Sequence, residues 1–511
     1  MTDVFHDLDN AEHDKPSHDP QLVKRFSLFS TLALGFSMTN SWLGYSATFI
    51  TPLLLGGSPT VFFGLVAASI ACCIITMGLA ELASAFPSSG GQYHFAYMVA
   101  SPRSRALVGF VIGWLSIAAW CLTSASTAIV CAQMASSLAT IYNPGYTVEA
   151  WQTYLIYFLI MTLATSIVCF CPNTIPRGEV VLFGCSFIGF LASFVTVLTT
   201  QKHRQTATEV FTHYDNLSGW NDPTAFIIGL GTSMYAYLAI DGATHIAEEV
   251  PVPGRNVPKA MGMTMLVGII TVLPWTLAFL FTTTANSAVA SSAIPIHTVY
   301  LQATNSQTAA TVFTTWILFV YSGALVSCMV TTGRLTYAFG RDGGLPFSSF
   351  FSRIHPHHKV PVNATLACFV CIVLYGLIYI GSTTAFNSFI SMSILSLNIT
   401  YVAPQAIVLY RGRMAVLPER HFRLGHYVGI FCNAFSTLWV AFISVIFCFP
   451  TSVPITTGSM NYVSVVIFGI FLAVVVLWYS GKRKSFIGPQ ILLEGVAAEP
   501  TEKSTEAASK T

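Results

Sequence analysis

The sequence predicts an all-α integral membrane protein of about twelve transmembrane helices. Three observations lead there. The 511 residues are 54% hydrophobic and only 9% charged, with a mean hydropathy of +0.66, whereas a soluble domain carries about 25% charged residues. The apolar residues fall in segments near the roughly 20 residues that cross a bilayer as a helix. The Lys and Arg residues cluster on alternate connections, as orientation in a membrane requires.

In order, the candidate spans are 29–55, 60–84, 105–141, 152–171, 179–199, 225–246, 260–284, 310–338, 362–380, 384–409, 427–449 and 462–480. The third is long enough to tilt or to extend past the bilayer. The ninth and tenth are separated by a tight turn around Gly381. With twelve spans, 21 of the 23 Lys and Arg lie on the side of the N-terminus, and only Lys202 and Arg204 on the other. Both termini are therefore expected in the cytoplasm, with the plasma membrane the expected location and the vacuolar membrane the alternative.

The flanks, 1–25 and 482–511, are polar and read as disordered cytoplasmic tails around a permease domain at 26–481. No cleavable signal peptide opens the chain, because residues 1–25 carry Asp, His and Lys. All twelve Cys sit in apolar segments and read as packing residues, not as a disulfide framework. Asn216-Leu217-Ser218 falls in an outer loop, where a glycosylation sequon can act.

Two spans are interrupted. The first carries GFSMTNSW, comprising Gly35, Phe36, Ser37, Met38, Thr39, Asn40, Ser41 and Trp42. The sixth carries Gly229, Gly231, Thr232, Ser233, Met234, Tyr235 and Tyr237. Glycine and small polar residues weaken a helix in hydrocarbon. The two breaks lie five spans apart, so each opens a five-helix unit and the units are inverted relative to each other, at about 29–199 and 225–409. That pattern points to an inverted-repeat transporter with its site at the breaks. An unwound turn frees backbone N–H and C=O groups for a solute or ion. The competing reading is a small-residue face for close helix packing, which suits the GxxxG of Gly109 and Gly113 better than a binding role does.

Acids inside spans are functional candidates. Asp241, just beyond the second break, could hold a substrate ammonium or carry a coupling proton, or could brace the broken helix. His245, one turn on, could pair with it. Glu248 and Glu249, near Arg255 and Lys259, read as gate or cap residues. Trp120, Thr123, Ser124 and Ser126 in the third span, with Tyr321 and Ser322 in the eighth, could supply aromatic and hydroxyl walls, and an aromatic face suits an ammonium. No HExxH, GxSxG, P-loop or Cys/His cluster at metal spacing occurs. The loop His355, His357 and His358 lies among basic residues and reads as part of a positive-inside loop. Neither enzyme chemistry, nor a cofactor or metal, nor a nucleic-acid partner is expected.

Three long motifs carry a resemblance. Gly78–Tyr93 (GLAELASAFPSSGGQY), His245–Ala260 (HIAEEVPVPGRNVPKA) and Arg334–Pro346 (RLTYAFGRDGGLP) resemble, in order, the ends of the second, sixth and eighth spans of amino acid–polyamine–organocation permeases. Asn40-Ser41-Trp42 and the second-span motif resemble the fungal amino acid, γ-aminobutyrate and choline branch. The resemblance implies a leucine-transporter-like fold, a five-plus-five inverted repeat with broken helices 1 and 6 and two extra C-terminal helices at 427–480. It further implies a solute bound at the breaks, usually with proton symport. The sequence departs from the family in three places. Residues 179–199 hold no Lys, where some relatives place one. The first break offers Ser37, Thr39 and Asn40 in place of Gly-x-Gly. The sixth has bulky Met234 and Tyr235, then Ala239-Ile240-Asp241 where many relatives have Gly, an aromatic and an acid. The function expected is uptake of a small amine-bearing solute (an amino acid, γ-aminobutyrate or choline) with protons as coupling ion. An exchanger or exporter of polyamine or specialised metabolite, and a nutrient-sensing transceptor, are the alternatives.

Overall fold

A computed structural model describes residues 22–143, 145–456, 460–486 and 488–489, with the side chains of 383–389 left aside. The expected disordered tails lie largely outside the described residues. The parts that are described pack against the protein: Leu22 is buried against Tyr337 and Ala364, and Phe486 is buried against Phe110 and Phe339.

The first span comes as α1 (Leu28–Thr39) and α2 (Ser41–Thr48), divided at Asn40. Asn40 has φ 27° and ψ 61°, so the helix cannot run through it. The chain continues into α3 (Ile50–Ala85), which contains a hairpin bend at Gly56 and Gly57. Gly57 has φ +67° with the backbone of Asp215 close by, and only glycine suits such a position. That bend separates the first span from the second, near the expected boundary.

There follow a short helix α4 (Gln92–Val99) and the spans α5 (Arg105–Tyr142), α6 (Ala150–Phe170) and α7 (Ile175–Thr200). At 38 residues, α5 is about 57 Å long against a hydrocarbon core of about 30 Å, so it extends past the bilayer. The second half holds α8 (Asp222–Ser233), α9 (Pro253–Thr282), α10 (Pro295–Thr304), α11 (Gln307–Arg341), α12 (Val362–Gly376) and α13 (Thr383–Arg411). The last two spans are α14 (His426–Ile446) and α15 (Val463–Leu477).

Eleven described stretches are long and apolar enough to cross a membrane unaided. The first predicted span is not among them because its two halves are 12 and 8 residues long. Outward faces of the peripheral spans are apolar, for instance Leu155, Leu159 and Leu163 on α6 and Val465, Phe468 and Leu472 on α15. In water such faces would be costly; in lipid they are matched.

The core spans are α1, α3, α5, α8, α9, α11 and α13. α3 packs on α8 and α9, α5 on α11 and α13, and α1 on α7 and α9. Close approach comes from the small residues: a methyl at Gly113 would meet Phe339 at 2.2 Å, so α5 and α11 touch there as the packing reading of GxxxG requires.

The sixth span opens later than the sequence suggested. α8 stays helical through Ser233 and tightens into a 3₁₀ turn at Met234–Tyr237. The chain is extended at Leu238, left-handed at Ala239 (φ 66°), and 3₁₀ again at Gly242–Glu249. Gly229 is a packing position, where a methyl would lie 2.6 Å from Thr60 Cγ2, whereas a methyl at Gly231 would make only ordinary contact, 3.7 Å, with Phe447 just past α14. The first of these glycines thus serves close helix approach, and the chain opens at Leu238–Asp241.

Candidate functional site

The two breaks meet. α1 lies against the 3₁₀ segment Gly242–Glu249, and α2 against Met234–Tyr237. Two short helices therefore end near each other inside the bundle. Ser37 Oγ, Thr39 Oγ1, Asn40 Nδ2 and Ser41 Oγ are buried with no protein hydrogen-bond partner among the described residues. Each unmade bond of this kind costs about 1–3 kcal/mol, so Thr39, Asn40 and Ser41 ask for water or a solute as partner, while Ser37 neighbours the Glu179 carboxyl.

One wall of this region is tightly built. A methyl at Gly242 would stand 2.0 Å from Met38 Cε and 3.6 Å from Trp120 Cη2, so a side chain there would push the end of Met38 aside while only touching Trp120. Thr331 Oγ1 lies 3.3 Å from Met38 Sδ. On the α2 side, Tyr235 OH and Tyr321 OH are 2.9 Å apart, and Ser126 Oγ is 3.4 Å from Tyr235 OH. Ser124 meets Thr332 at 3.3 Å and Thr123 hydrogen-bonds its own helix at Ala119 O. Met38, Trp120, Ser124, Tyr235 and Tyr321 thus converge from the first, third, sixth and eighth spans.

Other predicted residues point elsewhere. Trp42 donates to Ser186 Oγ at 3.0 Å and stacks edge-on with Trp275 and Phe190, so it locks the break to α7 and α9. Asn40 Oδ1 accepts from Ser186 at 2.9 Å. Gly35 faces Thr264, and Ser41 faces Gly268 on α9. Tyr237 pairs with Ser69 Oγ at 2.5 Å, and Ser233 faces Gly64 on α3. Thr232, half-buried, bonds weakly to Ile228 O at 3.4 Å, and Ser322 is half-buried. In the loop between α7 and α8, Asn216 Nδ2, the atom a glycan would take, donates to Trp220 O at 2.8 Å and Asp222 Oδ1 at 3.0 Å.

Asp241 is fully buried and fully occupied. Its Oδ1 accepts from Tyr401 OH at 2.6 Å; its Oδ2 accepts from Gln92 Nε2 at 2.7 Å and Trp120 Nε1 at 3.2 Å, with His245 Nε2 3.0 Å away. Side chains from three other elements thus converge on this carboxylate, which suits the brace among the three roles read from sequence: ammonium site, proton carrier and brace. The expected pairing with His245 is present, and His245 Nδ1 lies 3.1 Å from Ser89 O.

Glu248 and Glu249 pair with α11, not with Arg255 and Lys259. Arg341 grips Glu248 at 3.0 and 3.2 Å, and Arg334 Nε meets Glu249 Oε1 at 2.8 Å. The backbone N–H groups of Arg25 and Phe26 donate to Glu249 O, and Tyr93 OH donates to Asp342 at 2.8 Å. Between them these bonds close the basic face beneath the site. On the opposite side, a cavity of about 340 Å³ is lined by residues including Gln133, Ser136, Thr153 and Tyr379.

The residues of Gly78–Tyr93 that matter are Glu81 and Gln92. Glu81 is buried and held by Arg413 and Arg420, the latter at 2.7 Å, which ties the α13–α14 loop to the end of α3. The resemblance of this stretch is matched along the whole chain: the amino acid permease family model covers residues 26–472.

The chain belongs to the amino acid permease family.

The permease is similar to a choline transporter of Saccharomyces cerevisiae, 32% identical over 94% of this chain and 85% of the relative. It is also similar to a putative amino acid/polyamine transporter of Macrophomina phaseolina, at 28% over 85% and 96%. A 7-keto 8-aminopelargonic acid transporter of Saccharomyces cerevisiae is 26% identical over 88% and 90%. The permease is a multi-pass membrane transporter, not an enzyme, and its relatives move small organic solutes.

Sequence reasoning passed over three residues of the site. Tyr401 and Gln92 reach Asp241 across 160 and 149 positions, a pairing no local pattern contains. Glu179, the first residue of the expected fifth span, lies inside Ile175–Thr200, and an acid within an apolar run is a readable signal.

Proposed function

We propose that the permease is a secondary active transporter that takes up a small amine-bearing solute, choline, γ-aminobutyrate or an amino acid, together with protons across the plasma membrane. The observation that carries this reading is the meeting of two broken spans, with the Thr39 hydroxyl unpartnered at the break and Met38, Trp120, Tyr235 and Tyr321 around it. Aromatic faces suit an ammonium, and the freed backbone of α1 and α2 offers both carbonyls and N–H groups to a zwitterion. Transport follows from rocking of one helix group against another around this site. The Arg334–Glu249 and Arg341–Glu248 pairs then form the gate toward the basic, cytoplasmic side, where both termini lie.

The test is uptake of labelled choline, γ-aminobutyrate, amino acids and putrescine in permease-deficient yeast, with and without a protonophore. Protonophore-sensitive uptake of one of these solutes is expected. Surface-localised protein that takes up none of them overturns the importer reading and turns attention to export.

A further inference from the structure

We infer that Glu179 carries the coupling proton, an inference that rests on the proton-coupled reading above. Glu179 lies five residues into α7 and is 1% exposed. Ser327 Oγ on α11 donates to Oε1 at 2.6 Å. Oε2 has no hydrogen-bond partner, and Glu179 makes no ion pair among the described residues. The other acids buried in the described core have a charged partner or several donors: Glu81 two arginines, Glu249 Arg334 (though its Oε2 is also unbonded), and Asp241 the donors Tyr401, Gln92 and Trp120 with His245 alongside.

A carboxylate without water or a counter-ion costs several kcal/mol, and proteins resolve this by neutralising it. The neighbouring orphan shows how. The Ser37 hydroxyl on α1 neighbours the same carboxyl, yet its Oγ also lacks a well-formed partner. A proton on Oε2 can be donated to Ser37 Oγ, and in the ionised state the Ser37 hydroxyl can donate to Oε2 instead, so the pair serves both states of the carboxyl.

The surroundings contain nothing else that would neutralise the group. α1 has no ionisable side chain between Leu28 and Thr39. On α11, Cys328 faces Glu179, while Arg334 is bound to Glu249. α9 has Arg255 and Lys259 at its exposed start, and α10 has His297 and Tyr300, the latter bonded to Ser193. On α7 itself, Arg177 is exposed and Cys185 half-buried.

Position links the proton to the solute. Ser37 lies three residues before Asn40, so Glu179 sits about one turn below the break toward the basic face. When α1 swings away from α7, water reaches the carboxyl and the proton leaves on that side. Reprotonation comes from the opposite side, with the next solute.

The test uses the full chain in liposomes, loaded with the solute identified by the uptake panel. Wild-type protein should accumulate solute under an acid-outside gradient. Glu179→Gln should lose that accumulation yet keep solute-for-solute counterflow, which needs no net proton movement. Glu179→Gln that still accumulates solute to the wild-type level overturns the inference and leaves the transport reading standing. Wild-type protein that exchanges solute but ignores the pH gradient overturns proton coupling and this inference together. Should Glu179→Gln fail to fold, Ser37→Ala and Ser327→Ala each alter the carboxyl's neighbours and should shift the pH midpoint of uptake; unshifted midpoints in both overturn the inference.

Discussion

Arg334 Nε and Glu249 Oε1 lie 2.8 Å apart, and each side chain is no more than 2% exposed. An ion pair so far from water cannot be opened without rehydrating both charges. It is a costly closure, suited to a gate that opens only when the whole bundle rearranges. Removing one partner leaves the other buried and unpaired, at about 3–5 kcal/mol. Arg334→Ala and Glu249→Ala should each therefore lower the thermal stability of the purified permease strongly. Exchanging the two residues should recover part of the loss. Thermal melting of the three variants in detergent checks this, and single variants that melt like wild type would contradict it.

Asp241 braces four elements at once through Tyr401, Gln92, Trp120 and His245. In Asp241→Asn the amide can take the Oδ1 position, with Tyr401 turning to accept, so the cost is about 1–3 kcal/mol. Asp241→Ala leaves every donor unmet and should fail to reach the cell surface. Surface fluorescence of tagged variants separates the two, and equal trafficking of both would argue against the brace.

Trp120 presents its ring beside Met38 and Gly242 while its N–H is held by Asp241. Trp120→Leu removes the aromatic face. If a cationic head rests on it, the loss is about 0.5–2 kcal/mol, equivalent to a KM raised roughly 2- to 30-fold. Trp120→Phe should fall between the two. Saturation curves for a quaternary ammonium solute give the answer, and an unchanged KM in Trp120→Leu would remove Trp120 from the site.

His94, on α4 outside the spans, is buried beside Arg341, and its pKa is pushed down to about 3, chiefly by burial. Its ordinary value is 6.5. Between those values the unfolded chain holds one more proton than the folded one. The contribution to stability is whole above pH 6.5 and falls as the pH drops toward 3, by up to about 1.4 kcal/mol per unit. His94→Gln should flatten the pH dependence of melting between pH 6.5 and 4.5. A slope identical to wild type would assign the acid sensitivity to other groups.

Much of the architecture is legible without the structure. The bend at Gly56–Gly57, the long α5 and the short connection after Gly381 all lie near their expected places. Hydropathy and glycine placement are local properties, and the bilayer reads them locally. The first break was legible for the same reason, since Gly35–Trp42 is polar where lipid is expected. The sixth was displaced because glycine has two uses in a membrane. At Gly229 it lets helices approach, while the turn falls on Ala239, whose φ of 66° no residue preference would suggest.

The sequence by itself determined the class, the span positions, the distribution of charge between the two faces and the presence of two interruptions. Those follow from the cost of placing charge and unpaired backbone in hydrocarbon. Only the tertiary structure decided which acids are balanced and which is not. Asp241 and Glu179 look alike as single carboxylates in apolar runs. Helices from distant parts of the chain bring three donors to Asp241, with His245 beside it, and one well-formed donor to Glu179.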